Sequence, residues 1–135
     1  MAVVVMGIVF SSKVTDSLET NPGQGIADWG ALVLEIIATA LFVMVILTVA
    51  TDGAAAWKGV MAPLLIGVFI FTAANAVGPS SGGSFNPARS LDPVLYSQEW
   101  GNVWIYIVGP LLGAFAAGAF ALYLTRELEP AAEAH

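Results

Sequence analysis

Three long apolar stretches set the terms on which this chain can fold, from about residue 29 to 51, 59 to 77 and 103 to 125. The hydrocarbon core of a bilayer takes about 20 consecutive apolar residues to cross as a helix. Glu35 and a few threonines are the only polar interruptions of the first stretch. Each stretch ends on a stop signal: Asp52-Gly53, Gly78-Pro79 and Arg126-Glu127. The sequence therefore predicts an all-α integral membrane protein, multi-pass in the cell membrane.

Composition argues the same way. Hydrophobic residues make up 58% of the 135 and charged residues 10%, and the mean hydropathy is +0.83. A soluble domain carries roughly 25% charged residues, so lipid is the expected solvent. The formal net charge of -6 comes mostly from Asp16, Glu19 and Asp28 in the first polar stretch and from Glu127, Glu129 and Glu133 at the C-terminus. These read as solvated loops and an acidic tail over 126–135. No basic patch exists to hold nucleic acid. There is no cysteine, and the single histidine is His135. Thiolate or histidine metal sites and nucleophilic catalysis are thus not expected, nor is a cofactor or an enzymatic activity.

The links differ in kind. A short one around Lys58 makes the first two helices antiparallel neighbours, while a long one runs from Gly78 to Asn102. Met1 to Phe10 is apolar but too short to span, and no positive region of a secretory signal precedes Lys13. It reads as the stub of a longer helix or as an interfacial segment, followed to residue 28 by an exposed loop with turn chemistry at Asn21-Pro22-Gly23. With three spans, Lys58 and Arg126 fall on one side and Lys13 on the other. The positive-inside rule puts the first pair in the cytoplasm.

The long connection, about 78–97, carries the chemistry. Within it, Gly82-Gly83-Ser84-Phe85-Asn86-Pro87-Ala88-Arg89-Ser90 sets asparagine at a helix N-cap and proline at the first helical position, where a missing N–H costs nothing. Ala88 to about Tyr96 then forms a half-helix too short to span. Irregular backbone at membrane depth is tolerated only when buried in protein or lining a cavity. As a re-entrant loop, the carbonyls of Gly82, Gly83 and Ser84 would accept hydrogen bonds from water or a hydroxyl. The Asn86 amide would donate to the same molecule. The positive end of the half-helix dipole and Arg89 would repel cations. Spacing alone is equally compatible with a solvent-exposed loop and a capped surface helix.

The stretch from Glu35 to about Leu124 resembles the C-terminal repeat of the major intrinsic proteins, the aquaporins and aquaglyceroporins. The resemblance rests on Gly82 to Ser90, on Trp104-Ile105-Tyr106-Ile107-Val108-Gly109-Pro110-Leu111-Leu112-Gly113, and on Ala62-Pro63-Leu64 with Gly67. It implies half of that fold: three transmembrane helices plus one re-entrant half-helix, with Met1 to Phe10 as the tail of a preceding helix. It implies that Asn86, Pro87 and Ala88 form the pore motif and that Arg89, Gly83 and Ala74 belong to the selectivity filter. A one-residue slip would substitute Asn75 for Ala74. It also implies that Glu35 supports the loop by accepting hydrogen bonds from its N–H groups, the alternative being a residue near the helix end that reaches for water. Ala74 and Gly83 are small, which points to glycerol-sized solutes, whereas Ser90 follows the arginine as in water channels.

Two departures stand out. Asp92 replaces the usual glycine, either pairing with Arg89 three residues before it or pointing outward to the loop. Only one copy of the Asn-Pro-Ala box is present, while the family pairs two inverted repeats. The expected activity is passive conduction of water and glycerol-like neutral solutes once a complementary half-channel or a homo-oligomer completes the pore. By resemblance the assembly is a tetramer. The competing reading is a non-conducting truncated subunit that packs against full-length channels. Gly109, Gly113 and Ala117 recur at four-residue spacing and support close helix packing without naming a partner.

Overall fold

The computed structural model describes residues 19–50 and 56–132, with side chains described outside 56–59 and 127–132. The N-terminal apolar segment, Lys13, the Asp52-Gly53 stop and His135 lie outside the described residues. Among the described residues the chain is helical throughout its regular structure: α1 Asp28–Ala50, α2 Ala56–Ser81, α3 Pro87–Ser97 and α4 Val103–Ala132. Three segments are long and apolar enough to cross a membrane, Asp28–Ala50, Val60–Ser81 and Val103–Arg126. At 1.5 Å per residue these reach about 33–36 Å, against a hydrocarbon core of about 30 Å.

Two helices run past the stops read in the sequence. α2 continues through Gly78-Pro79 to Ser81. Proline normally excludes the helical conformation from the residue before it, through a clash with that residue's N–H and Cβ, and Gly78 has no Cβ to clash. The Gly82 amide still bonds back to the Gly78 carbonyl at 2.9 Å. What ends the helix is the glycine pair itself, with φ of 91° at Gly82 and 60° at Gly83. α4 likewise continues beyond Arg126-Glu127 to Ala132, because arginine, glutamate and leucine are strong helix formers once the chain leaves lipid. Lys58 lies in the first turn of α2 rather than in a link.

α1 is the central helix. It packs against α4 on one side and α2 on the other, and α3 leans on α4. The buried positions Ala31, Glu35, Ala38 and Thr39 fall on one helical stripe. Gly109 and Gly113 answer them from α4. A Cβ built on Gly109 would lie 2.8 Å from the Glu35 Cβ, and one on Gly113 would collide with the Ile36 carbonyl oxygen. Small residues at this spacing draw the two backbones together, as in membrane helix pairs generally. Ala31, Ile105 and Tyr106 form the core beside them, with Leu32 packed against it. Toward α2 the contact is made by stacked Phe42 and Phe69 rings, 5.6 Å apart. Phe71, Phe115 and Val60 stay largely exposed, a surface suited to lipid rather than to water. Among the described residues the backbones of α2 and α4 do not approach each other, and the two helices meet only where Tyr106 reaches the end of α2, so the helices form an open arc.

Candidate functional site

The site is the turn between α2 and α3 and the side chains that hold it. Residues 82–86 make no regular structure, so their amides need partners from elsewhere. Glu35 on α1 supplies two of them, for Ser84 and Phe85, and takes the Ser81 hydroxyl as well. Its Oε1 accepts from the Ser81 hydroxyl at 2.8 Å and the Ser84 amide at 2.9 Å. Its Oε2 accepts from the Phe85 amide at 2.9 Å. The glutamate is fully buried, so reaching for water from a helix end does not describe it. A group that only accepts suits three donors converging from one side. Phe85 shows what this holding accomplishes: it sits at φ 53°, a left-handed conformation costing roughly 1–2 kcal/mol for a residue with a side chain.

The flanks of the turn are anchored separately. Tyr106 on α4 is fully buried and donates its hydroxyl to the Ser81 carbonyl at 2.6 Å, satisfying an orphan acceptor of the α2 C-terminus. The Ser81 hydroxyl also accepts from the Gly83 amide at 3.2 Å. Across the turn, Ser84 donates to the Asn86 carbonyl at 2.9 Å. Its hydroxyl also touches that of Ser90 at 2.6 Å. Ser90 is fully buried and meets Thr20 at 2.5 Å. None of Ser81, Tyr106 or Thr20 stands out in the sequence. Their partners lie 25 to 70 positions away, beyond the reach of any local pattern.

At the start of α3, Asn86 has extended backbone and caps the helix by accepting from the Ala88 amide through Oδ1, at 2.9 Å. Pro87 occupies the first turn. With Oδ1 turned to the helix, the amide nitrogen is what this exposed side chain presents outward. Ala88 and Arg89 are exposed beside it. Arg89 bends back over the turn, and its Nη1 donates to the Gly83 carbonyl at 3.0 Å and the Gly82 carbonyl at 3.5 Å. Those two carbonyls are therefore shared with the guanidinium rather than wholly unpaired, each keeping a second lone pair. A Cβ on Gly83 would lie 3.6 Å from the Ala74 Cα, so Gly83 adjoins Ala74 as well as the Arg89 guanidinium. Asn75 is exposed and turns its amide to its own helix, at the Phe71 carbonyl, 2.7 Å away. Asp92 is half-buried on α3.

A groove of about 570 Å³ opens elsewhere, between α1 and α2, lined by Leu41, Met44, Val68 and Phe69 among others. Its two threonines, Thr48 and Thr72, spend their hydroxyls on the Met44 and Val68 carbonyls. Its lining is almost wholly apolar, and the turn at 82–90 is where polar groups converge.

A family model described as major intrinsic protein matches residues 1–122. Among curated relatives, aquaporin NIP1-1 of Zea mays is 47% identical over 96 residues, 71% of this chain and 33% of its own length. Aquaporin NIP1-4 of Oryza sativa subsp. japonica is 40% identical over 125 residues, 93% of this chain and 44% of its own length. Aquaporin TIP2-1 of Zea mays is 34% identical over 118 residues, 87% of this chain and 46% of its own length. The chain thus spans less than half the length of these relatives. With its three membrane-length helices, it is an integral membrane protein that belongs to the major intrinsic protein family.

Proposed function

We propose that the turn at 82–90 and the start of α3 form one wall of a passive transmembrane pore for water and glycerol-sized neutral solutes. In this reading Asn86, Pro87 and Ala88 stand at the pore midplane, and Arg89, Gly83 and Ala74 frame its narrow part. The carbonyls of Gly82, Gly83 and Ser84 accept from solute hydroxyls. The observation that carries the reading is the capping geometry of Asn86. Its Oδ1 is committed to Ala88 N, which leaves a donor beside the positive end of α3, next to a guanidinium held by loop carbonyls. Such a spot offers donors and acceptors to a neutral molecule while disfavouring cations.

Solute size follows from the same neighbours. Ser90 is fully buried against Ser84 and Thr20, so it bears on loop shape rather than on contact with solute. The small residues Ala74 and Gly83 remain, and they leave room for glycerol. The open arc of α1, α2 and α4 supports the need for a second half to close the pore. That half is a first-repeat partner or a further copy of the chain, in a tetramer as in the family.

The test is osmotic shrinkage of vesicles holding the chain alone, or together with a separately made first-repeat half from a relative. Shrinkage faster than in empty vesicles, together with swelling in isotonic glycerol, is the expected result for the mixture. Rates equal to empty vesicles at confirmed protein density would favour the second reading, a subunit that packs against full-length channels without conducting.

A further inference from the structure

The segment from Glu19 to Gly25, ahead of α1, lies across the turn as a strap. The Gly23 amide donates to the Ser80 carbonyl at 2.9 Å. A Cβ on Gly23 would collide with the Pro79 carbonyl oxygen, and one on Gly82 would lie 3.1 Å from both the amide nitrogen and the carbonyl oxygen of Asn21. The backbones are thus in direct contact. Inside this contact sits a chain of hydroxyls: Thr20 to Ser90 at 2.5 Å, Ser90 to Ser84 at 2.6 Å, and Ser84 to the Asn86 carbonyl at 2.9 Å. All three side chains are buried.

A hydroxyl has one hydrogen to give, and this fixes the direction of the chain. A carbonyl can only accept, so Ser84 spends its hydrogen on Asn86. Ser90 must then donate to Ser84, and Thr20 must donate to Ser90. Thr20 is the terminal donor. Ser90 is also a helical serine four residues after Asn86, and such a serine readily turns its hydroxyl to the carbonyl four residues back. That carbonyl is the one Ser84 uses. With Thr20 donating to it, Ser90 is held toward Ser84 instead.

We propose that Thr20 is a positioning residue of the turn, acting through Ser90 and Ser84 to fix the Asn86 carbonyl and the start of α3. Its bearing on solute passage rests on the pore reading above. Its bearing on the turn does not.

The test is hydrogen–deuterium exchange by mass spectrometry on the full chain in lipid nanodiscs, for the wild type, Thr20→Val, Thr20→Ser, Ser90→Ala and the double variant Thr20→Val/Ser90→Ala. Losing one net hydrogen bond is expected to speed exchange in residues 82–90 about fivefold in Thr20→Val, with α1 and α4 unchanged. Thr20→Ser should match the wild type, and the double variant should exchange no faster than the faster single one, because both cut the same chain. Unchanged exchange in Thr20→Val would overturn the proposal. So would failure of serine to restore it, additive effects in the double variant, or uniform loosening of every helix. In conducting vesicles, Thr20→Val should lower water permeability at equal protein density. Altered exchange with no conduction in any variant would leave the positioning role standing and count against the pore reading instead.

Discussion

Glu35 on α1 and Gly109 on α4 stand so close that a methyl group on the glycine would lie 2.8 Å from the glutamate's Cβ. The carboxylate that holds the turn thus sits on a residue that is itself held in close contact between the two helices. Packing of α1 on α4 and the shape of the loop are one mechanical unit.

Filling the contact should disturb both. Gly113→Ala places its Cβ against the Ile36 carbonyl, a backbone atom that cannot step aside, and Gly109→Ala presses on Glu35. Overpacking of this kind costs about 1–3 kcal/mol. Gly118→Ala is the control, since a Cβ there meets nothing within 4 Å. Thermal unfolding in detergent should show lower Tm for the first two and little change for the third.

Glu35→Gln keeps the size of the side chain but replaces one acceptor oxygen by an NH2 group. That group would face a donor, either the Phe85 amide or the Ser81 and Ser84 pair. An unpaired buried donor costs about 1–3 kcal/mol, and Phe85 would lose the bond that holds its left-handed conformation. Faster amide exchange at 84–85 and reduced water permeability at equal protein density are expected. Unchanged values in both would count against Glu35 as the support of the loop.

Tyr106→Phe removes one oxygen and nothing else. The Ser81 carbonyl then loses its 2.6 Å partner inside a fully buried site, for a cost of about 1–3 kcal/mol. The change should appear as a lower unfolding midpoint. A midpoint within error of the wild type would count against that bond as an anchor of the turn.

Arg89→Ala frees the Gly82 and Gly83 carbonyls and removes a fixed positive charge from beside them. In a conducting assembly this should raise leakage of protons and small cations while water flow is kept, read by a pH-sensitive dye trapped in the vesicles. Arg89→Lys retains the charge but not the planar fork, and should leak less than the alanine variant.

How much of this is readable in the sequence depends on range. The cap at Asn86 and the first turn at Pro87 follow from a local rule, and α3 begins where that rule puts it. The three apolar helices are equally local, being a matter of length and composition. Their ends are less so: Gly78-Pro79 reads as a stop, and α2 passes through it because the glycine has no Cβ to clash. Glu35 stands out as an acidic residue inside an apolar span, which needs partners. The donors that meet it lie 46 to 50 positions further on. Thr20 and Tyr106 carry no local signal, because a threonine before a turn and a tyrosine in an apolar helix are both ordinary.

The absence of cysteine from the chain allows the central claim to be tested directly. Single substitutions Ala74→Cys and Ala88→Cys place a thiol beside Gly83 and beside Asn86, and Phe115→Cys places one on the exposed face of α4. Water permeability of vesicles holding the chain and its completing half is measured before and after a mercurial reagent, then after excess thiol. Reversible block at 74 and 88, with none in the wild type or at 115, is the expected result. Full labelling at 74 and 88 without any loss of water flow would contradict a pore lined by this turn.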